Sequence, residues 1–190
     1  MKTDFGTKDF AEFCRANRPA YHAGYYAMYS SWWDAITVDP NLMVVPVDDH
    51  MVHRGDGLFE TFKCVDGAVY NLDAHLARLE GGAKTIALEL PWSRADIRRI
   101  VGAVLKAGGH RDALVRIFVS RGPGGHSANP YECPKPLLMV LAIRLPPPFM
   151  ELHPAGAKVG ISDVPHKHGF FAQVKSVNYL PNVLMKKQAV

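Results

Sequence analysis

From Leu58 the chain alternates apolar and polar positions through Glu60 and Phe62, turns at Asp66-Gly67 and returns as Ala68 to Leu72. A two-residue period on both sides of a tight turn predicts a strand hairpin. Asp73 then stands where a helix cap belongs, and Leu76, Leu79, Ala83 and Ile86 recur at helical spacing, so one buried helical face is predicted with His75 and Arg78 flanking it. A second helix is predicted from Ser93, with Asp96 completing a capping box, to a stop at Gly108-Gly109. The apolar runs Ala113 to Ser120 and Leu137 to Ile143 read as central strands. Upstream, Asp9 to Ala16 reads as a short helix before Pro19, and Asp39-Pro40-Asn41 as a turn. The aromatic-rich stretch Tyr21 to Trp33 fits a packed strand or an oligomer contact.

Leu145-Pro146-Pro147-Pro148 is stiff and extended, because each proline fixes its own φ and biases its predecessor away from helix. Residues 145–154 are therefore expected to be an interdomain linker. On that division residues 1–144, including an N-terminal extension 1–42, form a small α/β domain of mixed sheet and helices. Residues 155–190 begin a second domain, with Lys158 to Ser162 as its first strand and a helix capped by Asn178 that ends near Val190. Those residues are too few to close a core of their own. The expected class is α/β (α+β) in two domains, the second incomplete.

The chain of 190 residues is 48% hydrophobic and 21% charged, which is ordinary globular material and excludes disorder. Its formal charge of +4 is spread along the chain, so anionic small ligands suit it and a nucleic-acid partner does not. The widely spaced Cys14, Cys64 and Cys133 make neither a disulfide framework nor a zinc pair, which fits a reducing, cytoplasmic setting. No apolar run is long enough to span a membrane and the N-terminus lacks a signal-peptide core.

In the run Val174 to Ala189, VKSVNYLPNVLMKKQA, Lys175 stands just ahead of a turn that opens a helix. An amine held at a pocket floor in that way can attack an aldehyde, provided burial or a cationic neighbour keeps part of it unprotonated. Arg78, on the polar edge of an amphipathic helix, is either a solvated helix arginine or a planar fork that matches two phosphate oxygens.

Taken in order, RGDGLFETF (54–62), DAHLARL (73–79), VRIFVSRGPGG (115–125) and KSVNYLPNVL (175–184) resemble class-IV, or fold-type IV, pyridoxal-phosphate-dependent aminotransferases. That family includes branched-chain aminotransferases, D-amino-acid aminotransferases and aminodeoxychorismate lyases, and the resemblance runs from about Met43 onward. It implies pyridoxal 5′-phosphate as cofactor, an amino acid and a 2-oxo acid as substrates, and a homodimer. Lys175, in the K-x-x-N-Y pattern, becomes the Schiff-base residue and the proton carrier between the substrate Cα and the cofactor's C4′. Arg78, in the H-x-x-R-L pattern, becomes the phosphate ligand. Tyr179 corresponds to a tyrosine that contacts the cofactor ring oxygen, or else is a buried core tyrosine. Arg54, Phe59, Arg116 and Arg121 match positions that line or border the substrate pocket in various relatives. A structural salt bridge is an equally good account of Arg116, which alternates with Val115 and Ile117.

In relatives the glutamate that meets the ring nitrogen lies beyond the position equivalent to Val190, so the expectation is a fragment, inactive alone, of a longer transaminase. RGDG with SRGPGG leans toward the D-amino-acid and lyase end of the family. The alternatives are a lyase that eliminates pyruvate to give 4-aminobenzoate, and a non-catalytic binding module. Gly122-Pro123-Gly124-Gly125 is followed by no G-K-S/T and reads as a loop between strands. The pairs His50/His53 and His166/His168 lack a third ligand, so no metal is expected.

Overall fold

The computed structural model describes residues 2–189. Its frame is a six-stranded sheet made of β1 (Tyr25–Ser30), β2 (Ala35–Thr37), β3 (Gly57–Val65), β4 (Ala68–Val69), β5 (Ala113–Ser120) and β6 (Leu137–Ile143). The strand order is β2-β1-β6-β5-β3-β4, and every pairing is antiparallel. The mixed α/β fold is as expected. The two apolar runs form the adjacent strands β5 and β6, paired from Leu114–Ile143 to Ser120–Leu137.

Alternation sets the two faces of the sheet. Leu58, Phe62 and Cys64 of β3 and Val115, Ile117 and Val119 of β5 face one side and are almost completely buried. The helices α3 (Leu72–Thr85) and α4 (Arg94–Gly108) cover that side, burying Leu76, Leu79 and Ala83 from the first and Ile97, Ile100, Val101 and Val104 from the second. Helix α4 starts at the foreseen box, in which Ser93 accepts from the Asp96 amide and the Asp96 carboxylate accepts from the Ser93 amide. The opposite face carries Phe59, Thr61, Arg116 and Phe118. Residues Tyr21, His22, Tyr25, Pro40, Met43 and Val45 lie over part of it.

Four local expectations differ from the structure. The return strand of the hairpin stops at Val69, because Asn71 adopts a left-handed backbone, φ 48°, that turns the chain directly into α3. Asn71 thus holds the N-cap position, and Asp73 sits inside the first turn, where its charge suits the helix dipole and pairs with Arg98. Lys158 to Ser162 is irregular and exposed, since no neighbouring strand among the described residues offers it a partner. The last helix, α6 (Leu180–Gln188), follows the short helices α1 (Thr7–Ala16), α2 (His50–Arg54) and α5 (Phe149–Leu152). Its N-cap is Tyr179, not Asn178: Pro181, in the first turn, fixes the start. Asn178 instead packs on Gly55, where an added Cβ would come within 3.3 Å of it.

Candidate functional site

Strand β3 has a free edge at its N-terminal end, because β4 reaches only Cys64 and Val65. The segment around Lys175 occupies that edge. The Phe59 amide donates to the Lys175 carbonyl at 3.1 Å and the Val177 amide to the Gly57 carbonyl at 3.0 Å, with Leu58 and Ser176 forming an antiparallel bridge. Val174, 5% exposed, anchors the segment in the core. Residues far apart in sequence are thereby fixed side by side through backbone groups that must be paired when buried.

This pairing sets the Lys175 Nζ 4.4 Å from the centroid of the Phe59 ring and 5.7 Å from that of Tyr179. The two rings meet edge to face at 5.1 Å. Among the described residues, the Lys175 ammonium has no carboxylate or hydrogen-bond acceptor in range. Lys167 stands nearby, donating to the Ser176 hydroxyl at 3.0 Å and lying 5.4 Å from the Tyr179 ring. Lys175 is thus a half-buried amine with aromatic walls.

One residue further along β3, Glu60 points to the helical side among Leu58, Phe62 and Cys64, and it is 0% exposed. Two side chains from adjacent turns of α3 meet it. Arg78 donates from Nε at 2.7 Å and from Nη2 at 2.6 Å, and His75 Nδ1 stands 2.7 Å from the same carboxylate. Burial alone would raise the Glu60 carboxyl, but the hydrogen bonds from Arg78 and His75 outweigh it and hold it below the ordinary range. The bond to Glu60 in turn pushes the Arg78 guanidinium above its usual value, and the Tyr179 phenol lies close enough to add to the effect. The Arg78 side chain remains 53% exposed, and its Nη1 has no partner among the described residues.

Of the remaining sequence candidates, Arg54 shares a cleft of about 480 Å³ with Tyr179, lined also by Met51, Val177, Asn178 and Val183. Its guanidinium donates to the carbonyls of His53, His126 and Ser127. Arg116 is exposed on the open face of β5, opposite Thr61 and Leu141, the face that also carries Phe59. Arg121 is committed within the fold. It forks onto Asp56 at 3.0 and 3.1 Å and donates to the carbonyls of Ile86 and Ala87, tying β5 to the end of α3. The structure therefore gathers Lys175, Phe59 and Tyr179, sets the Arg78 guanidinium near enough to the Tyr179 phenol to feel its charge, places Arg54 in the cleft that Tyr179 lines, and commits Arg121 within the fold.

The loop after β5 is held by a buried network. Ser120 Oγ donates to the Asp49 carboxylate at 2.6 Å and accepts from the Gly122 amide, and His50 Nε2 stands 2.8 Å from the Gly125 carbonyl. Burial raises the Asp49 carboxyl despite those bonds. Gly122, at φ +101°, passes so close to Lys135 that an added Cβ would lie 1.8 Å from that carbonyl oxygen. Among the described residues no group of three or more His, Cys, Asp or Glu is placed to hold a metal ion. Glu60 and His75 are the members of the site that sequence reasoning left without a role. The signal for Glu60 was present, as a charged residue on the buried phase of its strand.

The donor set fits a ligand that carries both an aldehyde and a phosphate. The amine faces aromatic walls without an anion, and the guanidinium keeps its Nη1 edge unpartnered. Among the described residues, Glu60 is the carboxylate at this corner and is already held, so no acidic side chain here is available for a ring nitrogen.

Comparison with known proteins shows what the chain is similar to. Residues 57–190 match the family described as amino-transferase class IV. The chain is 44% identical over 165 residues to the chloroplastic D-amino-acid transaminase of Arabidopsis thaliana, covering 87% of this chain and 43% of that protein. It is 35% identical over 152 residues to a putative branched-chain-amino-acid aminotransferase of Methanocaldococcus jannaschii, covering 80% and 52%. The crystal structure of the branched-chain aminotransferase from Thermoproteus uzoniensis with norvaline superposes with a TM-score of 0.75 at 18% identity, covering 87% of this chain and 56% of that one. At that identity the superposition establishes the fold. The chain spans about half the length of the relatives it matches, or less.

Proposed function

The chain belongs to the class IV aminotransferase family, and from that premise we propose that the complete protein is a pyridoxal-phosphate-dependent transaminase in which Lys175 is the residue bonded to the cofactor. The observation that carries the reading is the Lys175 amine, held at the free edge of β3 against Phe59 and Tyr179 without an anionic partner among the described residues. When bound, the cofactor supplies the electron sink that lets a proton leave the amino acid's Cα.

The chain's own residues do the rest. Lys175 would hold the cofactor through its amine, and the same amine, once free, would take the proton from the substrate Cα. Arg78 meets the phosphate with its Nη1 edge. Phe59 and Tyr179 shield the amine from water, and Tyr179 is positioned to touch the cofactor ring. Arg54, in the cleft beside Tyr179, would meet a substrate carboxylate with the N–H groups its backbone contacts leave over, while Arg121 acts outside the pocket.

The substrate pair is a D-amino acid and a 2-oxo acid, supported by the relative named a D-amino-acid transaminase at 44% identity. We place residues 155–190 in a second domain that continues the fold beyond a 145–154 linker. Support comes from the large apolar side chains they expose, including Val159, Ile161, Phe171 and Val183. The protein acts as a homodimer in a reducing compartment such as the cytoplasm, a setting that suits its three free cysteines. No helix among the described residues is long and apolar enough to cross a membrane.

Single-turnover kinetics test the reading. The full-length protein loaded with cofactor should convert a D-amino acid to its 2-oxo acid, and a second 2-oxo acid should reverse the spectral change. Pyruvate release from aminodeoxychorismate with no need for an acceptor would replace transamination with the lyase reading.

A further inference from the structure

Glu60 stands at an unfavourable position for an acid. It is 0% exposed, on the face of β3 that otherwise presents Leu58, Phe62 and Cys64 to α3. A well-packed apolar side chain would fill that space at lower desolvation cost. The carboxylate is retained with its oxygens engaged: Oε1 accepts from Arg78 Nε, and Oε2 faces both Arg78 Nη2 and His75 Nδ1. The consequence lies on the other side of the guanidinium. The fork occupies one edge of a rigid plane, so the opposite edge, Nη1, is directed outward from a side chain that is half exposed.

We propose that Glu60 is a positioning residue for the cofactor phosphate: by gripping the Nε–Nη2 edge of Arg78 it turns the Nη1 edge toward the incoming phosphate, and His75 steadies the grip. The proposal rests on the reading that Arg78 meets that phosphate. An unclamped arginine would have to lose its rotamer freedom each time a ligand binds, whereas the clamped one has lost it on folding. Near-cancellation of charge within the Arg78–Glu60 pair also makes recognition depend on directed hydrogen bonds more than on net charge. Glu60 acts through Arg78 alone, so its effect must be confined to ligands that carry a phosphate.

The experiment is a double-mutant cycle on the full-length protein, with dissociation constants measured for pyridoxal phosphate and for phosphate-free pyridoxal. Glu60→Gln replaces one acceptor with an NH₂ that confronts Arg78 donor to donor. It should weaken pyridoxal phosphate about tenfold, the scale of the freedom Arg78 regains, and leave pyridoxal unchanged. In an Arg78→Ala background the same substitution should have no further effect, because its target is gone. An equal loss for both ligands, or a separate loss in the Arg78→Ala background, would reduce Glu60 to a structural acid and overturn the proposal. Arg78→Ala by itself must abolish the preference for the phosphate-bearing ligand; if it does not, the parent reading of Arg78 fails first. Glu60→Asp keeps the charge but is one methylene too short for the fork, and should give a smaller loss, again confined to pyridoxal phosphate. If circular dichroism shows neither Glu60 variant folded, Glu60 is a stability element and the proposal is lost.

Discussion

Replacing Arg121 with alanine separates a structural arginine from a substrate-binding one. Its side chain is 15% exposed and that of Asp56 is 23% exposed, so the pair is largely shielded from solvent. Removal would leave the Asp56 carboxylate without its counter-ion and the Ile86 and Ala87 carbonyls without their donors. Breaking a fully buried pair costs roughly 3–5 kcal/mol; allowing for the residual exposure, about 2–4 kcal/mol is expected here. For a chain of this size that corresponds to a fall in melting temperature of roughly 5–15 °C. Differential scanning calorimetry reads the shift, and substrate KM measured well below the melting temperature reads the alternative role. An unchanged melting temperature together with a large rise in KM would refute the structural assignment and return Arg121 to the pocket.

Other expectations follow from single contacts. Ser93→Ala removes the capping box of α4 and should cost about 1 kcal/mol, read as a shifted urea midpoint at constant slope. Gly122→Ala adds a Cβ to a backbone at φ +101° and into the Lys135 carbonyl. It should destabilise by more than about 2 kcal/mol and make the 122–125 loop a site of rapid proteolysis. The folded-state value of Glu60 is held below its unfolded value, so its stabilisation is complete above the unfolded value near about 4.3 and is lost as pH falls through the folded value. The gap in urea stability between the protein and Glu60→Gln should therefore be wide at about pH 7 and narrow at about pH 3. A gap that widens on acidification would contradict the sign.

What the sequence discloses and what it hides divide along physical lines. The strands β5 and β6 and the helix α4 were legible because their patterns are local: unbroken apolar runs in two cases, a capping box and a Gly stop in the third. The hairpin was legible but not its length, since the left-handed turn at Asn71 depends on how α3 must leave the sheet. The stretch 158–162 has strand composition without a partner, and strand formation depends on pairing more than on composition. Likewise Lys175 could be singled out from its motif. Phe59 and Tyr179 were also named from their motifs, but not their meeting around the Lys175 amine, which depends on docking residues 174–177 against the edge of β3, more than a hundred positions away. Arg121 looks like any pocket arginine until Asp56 and two helix-end carbonyls are seen to consume its donors.

Reduction of the cofactor-loaded, full-length protein with borohydride, followed by peptide mass spectrometry, bears most directly on whether this lysine carries the cofactor. The account predicts a phosphopyridoxyl group on Lys175 at one per chain, and loss of both the group and the visible absorption band in Lys175→Ala. Labelling at Lys167, Lys186 or Lys187 instead, or a band that persists in Lys175→Ala, would contradict it.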